Sequence, residues 1–297
     1  MRVMIFGAGY SGKAIGRLLA EGGHHVAGTT RSADKQAALA GCGITPFLFD
    51  GAGLNADLRA ELAGVTHLVQ SIAPGREGDP LIRIFAAEDL RSVMPKLEWI
   101  AYLSTVGVYG DHGGGWVDED ATLKPVSQRS VERVEAERAW QELAGRHGLP
   151  LAILRLSGIY GPGRNTFVNL NNGTARRLVK KDQVFNRIRV EDIAAATAFL
   201  AADNRPGIYN VTDSEPCPPQ DVVTEAARLM GVAPPPEQDF DSAELSPMAR
   251  SFYGENKRVS NARLRALGFA FRYPDYRKSL AALWAGGRWN KDPAGAF

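Results

Sequence analysis

The chain opens Met1-Arg-Val-Met-Ile-Phe-Gly7-Ala-Gly9-Tyr-Ser-Gly12, and this stretch decides the fold. The apolar run Val3–Phe6 reads as a strand, Gly7-x-Gly9-x-x-Gly12 as a tight turn, and Ser11–Glu21 as a helix. A strand, glycine turn and helix start in that order form the pyrophosphate-binding element of a dinucleotide fold. Gly7 permits the turn, Gly9 lets the backbone approach the phosphates, and Gly12 lets the helix pack against the strand. The free N–H groups and positive dipole end of the helix then face the anion. Gly7, Gly9, Tyr10, Ser11 and Gly12 are therefore the first candidate cofactor contacts, with the Tyr10 ring packing near the pyrophosphate.

Further strands are expected at His25–Thr29, Thr45–Phe49, His67–Gln70, Trp99–Leu103 and Leu151–Arg155. Helical patterns at Ala33–Ala40, Ala56–Leu62, Leu81–Lys96 and Ser130–His147 separate them. Repeated βα units mean a parallel sheet with helices on both faces. The expectation is an α/β Rossmann fold, a doubly wound parallel sheet, with a smaller C-terminal substrate lobe. After Leu154 come a Gly161-Pro-Gly163 turn, a polar stretch at Asn165–Gly173, a strand at Lys180–Val190, a helix at Glu191–Ala202, and a strand at Gly207–Val211. Residues 1–160 with 189–215 are assigned to the nucleotide-binding domain, and 161–188 with 216–291 to the lobe. Residues 292–297 are expected to fray.

Composition sets bounds on function. The 297 residues carry a formal net charge of +2, with no dominant basic patch, so a nucleic-acid partner is not expected. No apolar stretch is long enough to cross a bilayer. The glycine turn follows Phe6 too closely for a signal peptide, so the expected location is the cytoplasm. Cys42 and Cys217 lack metal-ligand spacing and read as buried, reduced thiols; no metal is expected.

Dinucleotide folds that take NAD place an Asp or Glu about 20 residues beyond the glycines. Here the second strand ends Gly28-Thr-Thr-Arg31-Ser32, with no carboxylate until Asp34. A guanidinium at Arg31, with hydroxyls from Thr29, Thr30 and Ser32 nearby, suits a 2′-phosphate. NADP is thus expected ahead of NAD, with a solvated surface arginine as the other reading. Asp50 stands where it would accept from the adenine amine, and Ser71–Pro74 where they would run under the dinucleotide.

Three further segments, Leu103-Ser-Thr-Val-Gly-Val-Tyr-Gly110, Leu154-Arg-Leu-Ser-Gly-Ile-Tyr-Gly-Pro-Gly163 and Arg189-Val-Glu-Asp-Ile193, join the glycine turn. Together they resemble the extended short-chain dehydrogenase/reductase superfamily, in its NAD(P)-dependent epimerase/dehydratase branch, over about residues 1–215. The resemblance implies a Rossmann fold, a nicotinamide cofactor and often nucleotide-sugar chemistry. It also implies a Ser or Thr after strand five and a Tyr-x-x-x-Lys on the next helix. Thr105 holds the first place, with Ser104 beside it. Aligning Pro125 and Glu137 puts Arg129 at the tyrosine and Arg133 at the lysine. An arginine keeps its proton near neutrality, so it cannot serve as the acid/base. Arg133 is still suited to the ribose hydroxyls and Arg129 to an anionic substrate group; both also read as surface charges paired with Glu132, Glu135 and Glu137. Tyr109 and Tyr160 read as structural. His112, beside Asp111, is a candidate proton carrier, because histidine titrates near neutrality.

The family's sugar-nucleotide arginine falls on Phe185 here. Arg187 lies two residues along the same strand face, in a stretch made basic by Arg164, Arg176, Arg177, Lys180 and Lys181. A small polar, anionic substrate fits this pattern. Two functions stay open: an NADP(H)-dependent oxidoreductase or isomerase of atypical kind, and a non-catalytic NADP(H)-binding sensor. A homodimer paired through the Ser130–His147 helix is a further expectation.

Overall fold

The computed structural model describes residues 1–246 and 250–291; the fraying expected at 292–297 lies outside them. Seven strands form the main sheet: β1 (Arg2–Phe6), β2 (His25–Thr30), β3 (Thr45–Leu48), β4 (His67–Gln70), β5 (Trp99–Thr105), β7 (Leu151–Leu156) and β11 (Gly207–Val211). Their order is β11-β7-β5-β4-β1-β2-β3, and the ladders joining β3, β2, β1, β4 and β5 are parallel. The connection reverses direction across the sheet between β1 and β4, which makes their carboxyl ends the switch point where such sheets bind ligands. This is the doubly wound sheet expected from the sequence.

Three two-stranded pairs accompany it: β6 (Trp116–Val117) with β13 (Arg258–Val259), β8 (Gly158–Tyr160) with β10 (Arg187–Arg189), and β9 (Arg177–Val179) with β12 (Glu237–Asp239). The helices are α1 (Tyr10–Glu21), α2 (Gln36–Ala40), α3 (Ala56–Leu62), α4 (Pro80–Ala87), α5 (Leu90–Val93), α6 (Gln128–Arg146), α7 (Thr166–Asn171), α8 (Val190–Ala202) and α9 (Pro219–Met230), followed by Ala262–Ala266 and Tyr276–Ala285.

The chain divides into two compact units. The first comprises residues 1–108, 127–155 and 193–209; the second comprises 109–126, 156–192 and 210–297. In the first, Met4, Phe6, Leu68, Ile100 and Tyr102 of the sheet are buried with Leu58, Leu62, Leu81, Ile84, Phe85, Trp140 and Leu143 of α3, α4 and α6. Each such side chain contributes about 1.5–3 kcal/mol of hydrophobic stabilisation. Asp79 caps α4, accepting from the N–H groups of Leu81 and Ile82, and also takes Gln70 Nε2 and Trp140 Nε1 at 3.1 Å or less. One carboxylate thereby holds α4, β4 and α6 together. In the second unit, Phe167, Val222, Ala226, Tyr276, Leu280 and Leu283 form a core, and Phe185, Phe240 and Tyr253 form another with Leu178.

Two sequence expectations are corrected. Leu81–Lys96 is two helices, because Glu88 turns extended and the Asp89 side chain accepts from Ser92 N–H, starting α5 afresh. Lys180–Val190 is not one strand. Asp182 adopts φ +60°, Gln183 N–H closes a turn on the Lys180 carbonyl, and only Arg187–Arg189 is ladder-paired. The polar Asn165–Gly173 stretch contains α7, capped by Asn165. Both cysteines are buried and unbridged. Among the described residues, no helix is long and apolar enough to cross a membrane, and no cluster of three or more His, Cys, Asp or Glu residues could hold a metal.

Candidate functional site

The glycine turn sits at the switch point, and its three glycines differ in what they exclude. Gly7 has φ +80°, and a Cβ there would stand 2.8 Å from Ile72 Cγ1 and 3.0 Å from Ile72 N. At Gly12 a Cβ would stand 2.9 Å from the Gly7 carbonyl oxygen and 3.2 Å from Ile5 Cγ2. At Gly9 the nearest atom would be 3.9 Å away. Gly7 and Gly12 are thus demanded by the fold, whereas Gly9 faces room that none of the described residues fills. That is the cradle a pyrophosphate requires. Helix α1 begins at Tyr10 with Gly9 as its N-cap, no capping side chain and no acidic residue in the first turn. The cap therefore supplies no side-chain acceptor, and the first turn has no carboxylate of its own to oppose an anion. Ser11 and Gly12 are buried in that first turn.

Neighbouring strand ends complete this face. The Ser71 N–H donates to the Phe6 carbonyl at 2.9 Å, so the end of β4 borders the turn. Thr29, placed by the sequence near a 2′-phosphate, is instead buried. Its Oγ1 accepts from Gly7 N–H at 2.9 Å, and so it pins the turn. Arg31 follows β2, exposed and without a hydrogen bond or ion pair among the described residues. Asp50 follows β3, also exposed, with Oδ1 accepting from Ala52 N–H. The Phe49 N–H donates to the Thr30 carbonyl, so Arg31 and Asp50 stand at the carboxyl ends of adjacent strands.

Thr105 ends β5, and its Oγ1 accepts from Gly107 N–H at 3.1 Å, which leaves the hydroxyl proton for another acceptor. Ser104 is buried and donates to Glu137 Oε1 at 2.5 Å. Glu137 also takes Arg155 through Nη2 at 2.8 Å and Nε at 3.2 Å. Arg133 Nη1 donates to the Leu103 carbonyl at 2.5 Å, and its guanidinium lies 5.7 Å from the Tyr102 ring centre. Arg133 thus fastens α6 to the strand immediately before Ser104 and Thr105. Arg129, one turn earlier, is exposed and has no ion pair or hydrogen bond among the described residues. The pairing of these arginines with Glu132, Glu135 and Glu137 does not occur: Glu132 accepts from Gln128, and Glu137 is taken by Ser104 and Arg155. Thr105, Arg129 and Arg133, like the glycine turn, belong to the first unit.

In the second unit, His112 Nε2 lies 3.1 Å from the Tyr109 carbonyl, and Asp111 Oδ1 accepts from Asn256 N–H at 2.7 Å. His112 therefore braces its own loop, and Asp111 ties that loop to the segment just before β13. Tyr109 is buried and donates to Asn210 Oδ1, a structural role as expected. Much of the basic stretch is engaged: Arg176 donates to the Glu244 carbonyl, Arg177 pairs with Glu237, and Lys180 donates to the Tyr253 carbonyl. An open groove of about 480 Å³, lined by Ser214, Arg265, Phe269 and Phe271 among others, contains none of the sequence-predicted site residues.

Sequence reasoning passed over Asp213, which is 1% exposed just beyond β11. Its Oδ1 accepts from Glu215 N–H, but Oδ2 has no hydrogen bond. Burial pushes its carboxyl from 3.8 up to about 8, against the pull of Arg187. The folded protein therefore holds a proton that the unfolded chain releases near pH 4. The stability this proton confers is complete below that pH, is lost as pH rises to about 8, and is constant above. Asp213→Asn is expected to flatten this slope and to melt above wild type at about pH 9. Parallel melts of the two proteins across that window check it, and coincident curves would sink the assignment.

A parallel sheet with a glycine turn at its switch point defines a Rossmann dinucleotide-binding fold. The chain belongs to the NAD dependent epimerase/dehydratase family, whose model matches residues 3–212. It is similar to protein YeeZ of Escherichia coli K12, 29% identical over 290 residues that cover 92% of this chain and 97% of that one. A functionally unknown conserved protein from Silicibacter pomeroyi DSS has a similar structure, with TM-score 0.87 and 45% identity, covering 96% of this chain and 99% of that one. UDP-glucose 4-epimerase from Thermus thermophilus, complexed with NAD, shares the fold at TM-score 0.74 and 20% identity, covering 96% of this chain and 98% of that one.

Proposed function

We propose that the protein is an NADP(H)-binding oxidoreductase or isomerase of the epimerase/dehydratase kind, working in the cytoplasm on a small polar substrate that carries negative charge. The observation that carries this reading is the cradle at Gly9, which none of the described residues fills, before a helix N-terminus with no capping side chain. Family membership and the NAD-bound fold neighbour support a nicotinamide cofactor. The preference for NADP rests on Arg31, free to meet a 2′-phosphate where NAD binders carry a carboxylate. In this reading the first unit holds the cofactor through Gly7, Gly9, Tyr10, Ser11, Gly12, Arg31, Asp50 and Ser71, and the second holds the substrate. A homodimer through α6 is part of the same proposal.

The bound nicotinamide would supply hydride transfer. Thr105 donates to the reacting oxygen, and Arg133 donates to the ribose hydroxyls from its anchored position on β5. Arg129 holds an anionic substrate group by charge and by its paired N–H geometry. None of these three moves a proton, so the proton comes from solvent or from the substrate itself.

The arginine in the tyrosine's place also favours a second reading, a sensor that binds NADP(H) without turnover. Calorimetry of the cofactor-free protein separates the outcomes. NADPH is expected to bind about 10- to 100-fold more tightly than NADH, the scale of one or two charge-assisted hydrogen bonds. Arg31→Ala is expected to erase that difference while leaving NADH unchanged. Binding of neither nucleotide would end both readings. Arg129→Ala then decides between them: an enzyme loses turnover or substrate affinity, whereas a sensor keeps its NADPH affinity and has nothing else to lose.

A further inference from the structure

One patch of the second unit has hydrogen-bonding capacity that the chain does not use. Strands β8 and β10 pair in parallel, with Gly158 opposite Arg187 and Tyr160 opposite Arg189. Strand alternation places these four residues on one face. Asp213 joins from the end of β11, its N–H donating to the Arg187 carbonyl at 2.8 Å. The neighbouring arginine is fully occupied: Arg189 forks onto Glu191 and donates to Ser279. Arg187 is not. Its Nη1 donates to the Phe185 carbonyl and to the carbonyl and Sγ of Cys217, the sulfur at 3.0 Å. Nε and Nη2 have no partner among the described residues, and no carboxylate forms an ion pair with it. The Tyr160 hydroxyl, buried beside Ser279, makes no hydrogen bond, and neither does Asp213 Oδ2.

Most buried polar groups of a folded chain have a partner. Here two without one lie with a partly engaged guanidinium beside the β8–β10 pair, within the second unit. At neutral pH the Asp213 carboxyl is mainly protonated, so it offers an O–H. Guanidinium, carboxylic acid and phenol are then all donors. The ligand that accepts from all three is an oxyanion.

We infer that Arg187, Asp213 and Tyr160 form an oxyanion site that takes the carboxylate or phosphate end of a small molecule, with the Cys217 thiol at its margin. This deepens the proposed function, and rests on it only in taking that oxyanion for a charged group of the substrate other than the one Arg129 holds. The site has its own pH signature. Asp213 faces Arg187 from β10, Tyr160 from β8, Glu215 and Cys217 from its own loop, and Asp275 from the start of the Tyr276–Ala285 helix. Glu215 is paired with Arg277, and Asp275 accepts from Lys278 N–H. When Asp213 loses its proton above about pH 8, a carboxylate enters the site and opposes the bound oxyanion.

The test titrates the full chain with malonate and, separately, with inorganic phosphate, from about pH 6 to about pH 9, alongside NADPH. Expected are binding of one of the two anions at low pH, a loss of about tenfold or more at the high end, and a similar loss on Arg187→Gln at any pH. Asp213→Asn, which keeps a donor at every pH, is expected to bind throughout with a flat profile. Circular dichroism confirms that each variant is folded; if Arg187→Gln is not, Arg187→Lys keeps the charge without the fork and is expected to bind more weakly. Malonate alone binding marks a carboxylate ligand, and phosphate alone a phosphate. No anion bound while NADPH binds overturns the site and leaves the cofactor reading intact. Anion binding without NADPH binding does the reverse. Binding indifferent to Arg187, or an Asp213→Asn profile that follows wild type, also overturns it.

Discussion

Gly9→Ala is expected to melt within about 2 °C of wild type and to lose at least about tenfold in NADPH affinity. The first half follows from space: the new Cβ would approach none of the described residues nearer than 3.9 Å, and φ −78° lies outside the positive region that favours glycine. The second half follows from where that space is. A methyl group in the cradle pushes the pyrophosphate off the α1 N–H groups, and charge-assisted hydrogen bonds contribute about 1.5–3 kcal/mol each. Gly7→Ala and Gly12→Ala should behave oppositely. Alanine at φ +80° costs about 1–2 kcal/mol, and crowding Ile72 or the Gly7 carbonyl about 1–3 kcal/mol more. Their melting points should fall several degrees, at about 2–4 °C per kcal/mol for a chain of this size. Calorimetry and thermal melts on the three variants make the comparison. A Gly9→Ala protein that binds NADPH as wild type does would remove the pyrophosphate from this turn.

This contrast also shows what was readable in the chain. The β1 turn was legible because strand, glycines and helix are contiguous and each glycine has a local job. The strand His67–Gln70 was also read to the residue, with Leu68 and Val69 as its apolar centre. The helix break at Asp89 was written in the sequence as an N-cap but masked by flanking apolar residues. Trp116–Val117 and Arg258–Val259 pair across more than a hundred residues, and runs of two have no period to detect. Thr29 shows the limit for site residues. Its position after the glycines was right for the cofactor face, but strand alternation turns its hydroxyl inward to Gly7. Asp213 and Tyr160 carried no signal, because an unsatisfied oxygen is a property of what packs around it.

Glu137→Ala is expected to cost about 3–5 kcal/mol, a fall of roughly 6–20 °C in melting temperature. Glu137 and Arg155 are each 3% exposed, joined by two hydrogen bonds of 2.8 and 3.2 Å, and Ser104 closes the carboxylate from β5. Removing the carboxylate takes from the buried guanidinium the charge and the two hydrogen bonds that Glu137 supplies, and that penalty far exceeds the net contribution of the intact pair. The double variant Glu137→Leu/Arg155→Met tests this directly. It buries no charge, fills similar volume, and is expected to recover most of the lost stability. The pair has a second consequence, for position. Glu137 lies one turn after Arg133 on α6, and Ser104 adjoins Thr105, so this ion pair sets the depth of α6 against the end of β5. The double variant should therefore melt near wild type yet bind NADPH more weakly, because leucine and methionine restore packing without restoring the fork that ties α6, which carries Arg133, to β7. Stability and NADPH affinity recovering together would show that packing alone sets that depth. A single Glu137→Ala variant melting with wild type would refute the buried pair outright.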